Sequence, residues 1–445
     1  MEQEFEVEVK ILSKEMVKPS FPPSSHPTTF TLSLIDQTFP TIQVPILLFF
    51  TAESPTPQGG VNISGLKTSL SQTLDQFFPL AGRLLDESTI SCNHEGIPFI
   101  ETNVNCNLSV ALTSPHKLKL LTKFLPPPEL QSISELVPLA FQINVFLCGG
   151  VIIGCYMLHK ILDIASLGTF LKYWSNLASK RLNDLVQPNF AATINAFPPL
   201  PKPESKSSPI SSLEPPPVSN NVIKSFLFDP IAISKLKAKA TSDLIPKPTG
   251  FEAVAGFVWE QTLATRLNLG MQVEHTALSI VVNMRPRMNP PLPKESMGNP
   301  ITIAQTQVRK HVLEANKSSN SELQELVKEI HSALSNTYQK ITSINFQRKT
   351  AEAELQHSIQ LEDGILRVSS WCKMGLNEVD FGFGKPVWIV PTDGIQPPQF
   401  RNFFVLTDYC HSNSGDGIEA WLVLEEKEMQ NLESNPYFLA FASHN

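Results

Sequence analysis

From Phe141 to Leu158 the chain is apolar at nearly every position, with Gly149 and Gly150 in the middle and His159 directly behind. The pattern suits two buried strands around a turn. The next segment, Ser166-Leu167-Gly168-Thr169-Phe170-Leu171 and then Trp174, Leu177 and Ala178, has the spacing of an amphipathic helix. A histidine therefore stands where a buried strand gives out, with Asp163 four residues on. Neutral imidazole is the usual general base, because its reference pKa near 6.5 leaves it mostly unprotonated at pH 7. An HxxxD taken alone also fits a chance pair on a helix or a satisfied core histidine.

The length of 445 residues calls for two domains, and 42% hydrophobic with 17% charged residues makes the chain globular with sizeable cores. A net charge of -7, with no basic patch interleaved with aromatics, argues against nucleic acid or a membrane surface as partner. The acidic start, Met1-Glu2-Gln3-Glu4-Phe5-Glu6, has no apolar stretch of the kind a secretory signal needs, and no uninterrupted apolar run is long enough to span a bilayer. Cys92, Cys106, Cys148, Cys155, Cys372 and Cys410 are scattered with no CxxC, and read as free thiols in a reducing compartment. No metal-ligand cluster accompanies His159, so no metal site is expected, and no GxSxG nucleophile elbow occurs.

Strands are expected over 4–13, Val44–Phe50, Ile90–Cys92, Pro98–Glu101 and Leu108–Leu112, with a helix capped by Ser64 and carrying Leu66, Leu70 and Leu74. Between Phe197 and Val218 the chain is crowded with Pro, Ser and Lys, which reads as an extended crossover linker. Beyond it come a strand Asn221–Phe228, a helix started by Asp229-Pro230, a helix Phe251–Leu267 capped by Thr249, a strand Leu278–Val282 and a charged helix from Ser321 to about Tyr338. Further strands are expected at 366–372, 386–391, 401–407 and 418–424. The fold class is therefore α/β, with mixed sheets in an N-terminal domain over 1–197, a linker over 198–220 and a C-terminal domain over 221–445.

A second distinctive stretch is Asp380-Phe381-Gly382-Phe383-Gly384-Lys385-Pro386. Glycines alternating with aromatics suggest a loop whose backbone approaches another element closely, and no phosphate-binding pattern accompanies it. HxxxD near 160 together with DFGFG near 380 closely resembles the BAHD family of plant CoA-dependent acyltransferases, whose markers are HxxxD and, usually, DFGWG. The segments LSLIDQ (32–37), FFPLAGRL (77–84), NMRPR (283–287), SMGN (296–299), SSWC (369–372) and DGIEAWL (416–422) also look like family segments in family order, so the resemblance spans the chain.

The resemblance implies two chloramphenicol acetyltransferase-like domains joined by a long crossover, with a channel between them for acyl-CoA and an acceptor. His159 would deprotonate the acceptor, and Ser369 and Trp371 would donate hydrogen bonds to the oxyanion. Asp163 would turn away and pair with Arg285, and Asp380, Gly382 and Gly384 would be structural. No permanently bound cofactor is implied: acyl-CoA is a co-substrate and a small-molecule alcohol is the partner. A cytoplasmic monomer that contacts neither nucleic acid nor membrane is expected. Phe383 stands where the family usually has Trp, and Ile164 where Gly often follows the motif Asp. With SMGN in place of the commoner YFGN, the chain looks like the subgroup of alkaloid, acylsugar and some terpenoid acyltransferases, which mostly use acetyl-CoA or other short acyl donors. Alkaloid O-acetylation is the expected activity. Acylation of a terpenoid, an acylsugar or a phenolic alcohol, and a binding protein of the same fold with weak turnover, are the alternatives.

Overall fold

The computed structural model describes residues 6–51, 61–113, 120–127, 137–199, 220–273, 275–309, 321–342, 364–391, 401–411 and 415–444. The chain divides into two compact units. The first comprises Met1–Glu214, Pro293–Pro300 and Lys373–Ile395, and the second Pro215–Leu292, Ile301–Cys372 and Gln396–Asn445. The second half of the chain thus lends two short segments to the first unit, whereas the sequence reading placed both in the C-terminal domain. The DFGFG stretch lies in one and SMGN in the other. Backbone pairing holds them there: Trp388–Pro391 pairs antiparallel with Gln43–Phe50, and Ser296 bridges Asn189. Of the expected linker 198–220, residues 200–219 lie outside the described residues.

The first unit is built on a six-stranded mixed sheet. Its order is Val9–Val17, Ile97–Val104, Leu139–Phe146, Val151–Leu158, Gln43–Phe50, Trp388–Pro391, and only the Ile97–Val104 and Leu139–Phe146 pair is parallel. Val151–Leu158 is buried at every position and antiparallel to both neighbours. A strand covered on both faces reads as a continuous apolar run, which is why this part of the sequence lacks alternation. On the sheet pack the helices Ile63–Gln76 and Ile164–Ala178. Trp174 of the second helix is fully buried, yet its indole N–H reaches Leu66 O and Ser69 Oγ of the first, both at 3.1 Å. The pairing removes the penalty of an orphaned donor.

Several expected elements differ. The first strand is Val9–Val17, whereas 4–13 was expected; residues 4 and 5 lie outside the described residues, and a register shift between Ile11 and Ser13 breaks the expected alternation. Leu108–Thr113 is a short helix, not a strand, with Leu108 and Ala111 buried on one side. Three-residue spacing and alternation cannot be told apart over so short a run. Asn62, not Ser64, caps the Ile63–Gln76 helix, its side chain accepting the Gly65 N–H.

The second unit carries a larger mixed sheet in the order Ile301–Gln305, His275–Asn283, Ile365–Ser370, Phe403–His411, Gly415–Glu425, Asn221–Phe228, Ser443–His444. The helices Pro230–Ala240 and Gly250–Asn268 begin at Asp229 and Thr249, as expected. Thr249 and Glu252 form a reciprocal capping box: Thr249 N–H donates to Glu252 Oε2 at 2.7 Å, and Glu252 N–H to Thr249 Oγ1 at 3.2 Å. Among the described residues, no helix is long and apolar enough to cross a membrane.

Candidate active site

His159 follows the last residue of the Val151–Leu158 strand, and its N–H donates to Ile42 O at 2.8 Å, one step beyond the Gln43–Leu158 register pair. The backbone at His159 is therefore an extension of the sheet. One face of the imidazole stacks on Phe39, with ring centroids 5.1 Å apart and planes 13° apart. Burial pushes the His159 pKa below 6.5, against the opposing pull of its own backbone carbonyl, the Asp163 carboxylate and Asn299. The ring is neutral at pH 7 and stays so somewhat below the ordinary histidine range.

Asn299 decides which nitrogen carries the proton. Its Oδ1 lies 3.1 Å from His159 Nδ1. Its amide nitrogen donates to Asp36 Oδ1 at 2.8 Å and to Lys160 O at 3.3 Å, so the carbonyl end is the one facing the ring. An amide oxygen only accepts, so His159 Nδ1 must carry the hydrogen and Nε2 is left with its lone pair.

Asp36 anchors the assembly. It is 4% exposed, in the short helix Leu34–Thr38. Oδ1 accepts the Asn299 backbone N–H as well as its side chain, each at 2.8 Å, and Oδ2 accepts the Ser33 hydroxyl at 2.5 Å. Burial pushes its carboxyl up to about 6 despite these bonds, and the Asp163 charge adds to the rise. Gly298 makes the approach possible: its φ is +104°, and a Cβ there would sit 2.9 Å from Asp36 Oδ2. The carbonyl of Gly298 in turn accepts the Ser166 hydroxyl at 2.9 Å and the Asp163 N–H at 3.4 Å.

Asp163 is the N-cap of the Ile164–Ala178 helix, accepting the Ser166 N–H at 2.8 Å, and is 4% exposed. It lies in the first unit. Arg285 belongs to the second, where it is 2% exposed and its backbone N–H donates to Asn283 Oδ1 at 3.0 Å. The second unit also holds Ser369, half-buried in the Ile365–Ser370 strand, and Trp371 just past its end, buried, with its backbone N–H on Leu406 O at 2.8 Å.

The DFGFG loop belongs to the first unit. Asp380 Oδ1 accepts the N–H groups of Gly382 and Gly384 at 2.8 and 3.1 Å, and both glycines have positive φ, +98° and +94°. Arg181 clamps Asp380 through Oδ2 at 2.8 Å and its carbonyl at 2.6 Å. Partial burial alone would raise the Asp380 pKa, but Arg181 and the two glycine N–H groups hold it below the usual carboxylate value. Phe381 meets Trp174 edge-on at 4.7 Å, and Phe383 meets Phe50 edge-on at 5.1 Å. Among the described residues, no cluster of three or more His, Cys, Asp or Glu side chains is placed to hold a metal ion.

Sequence reasoning placed SMGN and LSLIDQ among the family-like segments but gave Asn299, Asp36 and Ser33 no role. A buried Asp three residues after a Ser is a local cap pattern, and nothing in it announces a partner more than 250 residues away.

Residues 7–439 match the model of the Transferase family, the BAHD acyltransferases. Stemmadenine O-acetyltransferase of Catharanthus roseus is 34% identical over 436 residues, covering 96% of this chain and 97% of that protein. Vinorine synthase of Rauvolfia serpentina is 33% identical over 428 residues, covering 95% of each. The crystal structure of vinorine synthase matches with a TM-score of 0.81 at 30% identity, over 98% of this chain and 99% of that one. The crystal structure of TRI101 from F. sporotrichioides, complexed with coenzyme A and T-2, shares the fold at a TM-score of 0.65 and 19% identity, over 94% and 99% of the two chains. The chain belongs to the BAHD Transferase family and is an acyltransferase.

Proposed function

We propose that this member of the BAHD family moves a short acyl group, acetyl first, from acyl-CoA to a hydroxyl of an alkaloid, with His159 as general base. The observation that carries the mechanism is the hydrogen bond from His159 Nδ1–H to an Asn299 carbonyl that cannot turn away. It leaves the Nε2 lone pair as the proton acceptor. An alcohol is a poor nucleophile until a base takes its proton, and such a base is commonly worth ~10²–10⁴ in rate.

In the proposed cycle Nε2 takes the hydroxyl proton as the acceptor oxygen bonds to the thioester carbon, giving a tetrahedral oxyanion. Collapse breaks the carbon–sulfur bond, and the imidazolium returns its proton to the departing CoA thiolate. The imidazolium exists only between these steps, and Asn299 with Asp36 behind it faces the positive ring at that moment. No covalent acyl-enzyme is needed. Ser369 and Trp371 are proposed as oxyanion donors on the family resemblance.

Acetyl transfer to an alkaloid rests on the names of stemmadenine O-acetyltransferase and vinorine synthase. A cytoplasmic monomer is proposed on the family resemblance alone. The test is thiol release from acetyl-CoA with a panel of alkaloid, terpenoid, acylsugar and phenolic alcohols, with products read by mass. Alkaloid turnover that falls ~10²–10⁴-fold in a folded His159→Ala variant is the expected result. Wild-type turnover in that variant removes His159 as the base. Turnover confined to another acceptor class overturns the alkaloid assignment alone.

A further inference from the structure

Lys160, the residue after the base, is 1% exposed. Its ammonium donates to Gln37 O at 3.0 Å and Phe39 O at 2.9 Å, and pairs with Glu87 Oε2 at 2.6 Å. A buried ammonium is costly, and a well-packed apolar side chain in its place is often neutral or stabilising, so bulk stability is a weak reason for keeping one here. What its partners do offers a better reason.

Gln37 and Phe39 flank the C-terminal end of the Leu34–Thr38 helix, where carbonyls lack helical partners. Asp36, just before them, holds Asn299 and through it His159 Nδ1. Phe39 is itself the ring stacked on the imidazole face. Lys160 also offers its own carbonyl to the Asn299 amide at 3.3 Å. One side chain and its backbone thus hold the support of the base edge and the support of its face.

We propose that Lys160 is a positioning residue for His159, fixing its tautomer and ring plane through the Gln37–Phe39 segment. The proposal rests on the reading of His159 as the base, and it predicts a readout that needs no turnover. A misplacement on the scale of an ångström at a reacting group costs on the order of 100-fold in rate. Lys160→Met keeps an unbranched chain one atom shorter and removes the charge and the donors. It is expected to lower turnover per folded molecule roughly 10-fold or more, with the acyl-CoA KM changed less than about 2-fold.

The deciding measurement is nitrogen NMR of the histidine side chains in the ligand-free protein. Wild type is expected to show His159 as the Nδ1–H tautomer, and Lys160→Met a mixture of tautomers. Combining Lys160→Met with Phe39→Leu should cost less than the product of the separate losses, because both act on one segment. Lys160→Gln, a shorter polar chain, serves if the Met variant does not fold, and the same tautomer mixing is expected there. A variant that melts lower but keeps wild-type turnover per folded molecule and a single His159 tautomer overturns the proposal and leaves Lys160 a tether only. Wild-type activity in His159→Ala would instead sink the mechanistic reading, whatever Lys160 does.

Discussion

Asn299 Oδ1 stands 3.1 Å from His159 Nδ1, although 140 residues separate the two in sequence. The amide is locked by Asp36 on one side and by the Lys160 carbonyl on the other, so the bond dictates the imidazole tautomer. Asn299→Ala is expected to fold and to lose turnover about 10–100-fold, the scale typical of groups that orient a functional histidine. The KM for acyl-CoA should change little. Kinetics on purified, folded variant protein check this, and an unchanged turnover number would show that the imidazole orients itself without Asn299.

With His159 as the proposed base, the acid side of the rate profile is expected to follow its burial. Its pKa lies below the ordinary 6.5, so the base remains neutral as pH falls through that value. Turnover measured against pH should therefore hold down to about 6.5 and fall only below it. A decline already centred above 6.5 would mean that another group, or the acceptor itself, controls the rate.

Asp163 begins a helix, and that alone sets a lower bound on its contribution. Replacing a capping Asp by Ala costs about 0.5–2 kcal/mol, and Asn caps as well as Asp. Asp163→Ala should lower the melting temperature and turnover together, because the helix start and the Gly298 carbonyl that supports the Asn299 segment meet at this point. Asp163→Asn should be milder in both. Thermal melts and turnover on the two variants decide it. Wild-type melting with abolished turnover in Asp163→Ala would give Asp163 a direct chemical role.

Phe383 sits half-buried against Phe50 and Phe381, and the loop's shape is set by Asp380, Arg181 and the two glycines. Nothing in that set depends on an indole N–H. Phe383→Trp should leave turnover within about 3-fold of wild type, as expected for an aromatic exchange at a supporting position. A gain above tenfold would show that the natural Phe handicaps the enzyme.

The apolar run ending at His159 was legible in the sequence because a doubly covered strand needs apolar residues at every position. The helix behind it was legible from its periodicity, whereas the capping role of Asp163 was not read and emerges only in the fold. The support of the base was not. Asp36, Asn299 and Lys160 come from three parts of the chain, and each alone has an ordinary local reading: a residue in a short helix, the last of a Gly-Asn pair, a lysine. Only the folding of residues 293–300 back onto the first unit brings them together, and such long-range pairing leaves no periodic trace. The same holds for DFGFG, whose contiguity with the second half hides that Trp388–Pro391 completes the first sheet.

Asp36 is where stability and function should pull in opposite directions. Its carboxyl is pushed up to about 6 by burial, above the ordinary carboxylate value near 3.9. The native state therefore binds this proton more readily than the unfolded chain between roughly pH 4 and 6. The contribution to stability is fully present below about pH 4 and is lost as pH rises through about 6. Above that, the buried charge costs on the order of 2–3 kcal/mol, from the difference between the two values. Asp36→Asn keeps an oxygen able to accept both Asn299 N–H groups, and the Ser33 hydroxyl can turn from donor to acceptor. The variant is expected to melt at least as high as wild type at pH 8, with its advantage shrinking towards pH 5. Turnover should nevertheless fall about 10-fold, because a charge-assisted bond to Asn299 becomes a neutral one just where the imidazolium needs a negative field. Melting curves at several pH values, paired with turnover on the same samples, separate the two effects. A variant that melts lower at pH 8 and turns over at the wild-type rate would make Asp36 a structural prop, and the charge behind the base would have no part in the chemistry.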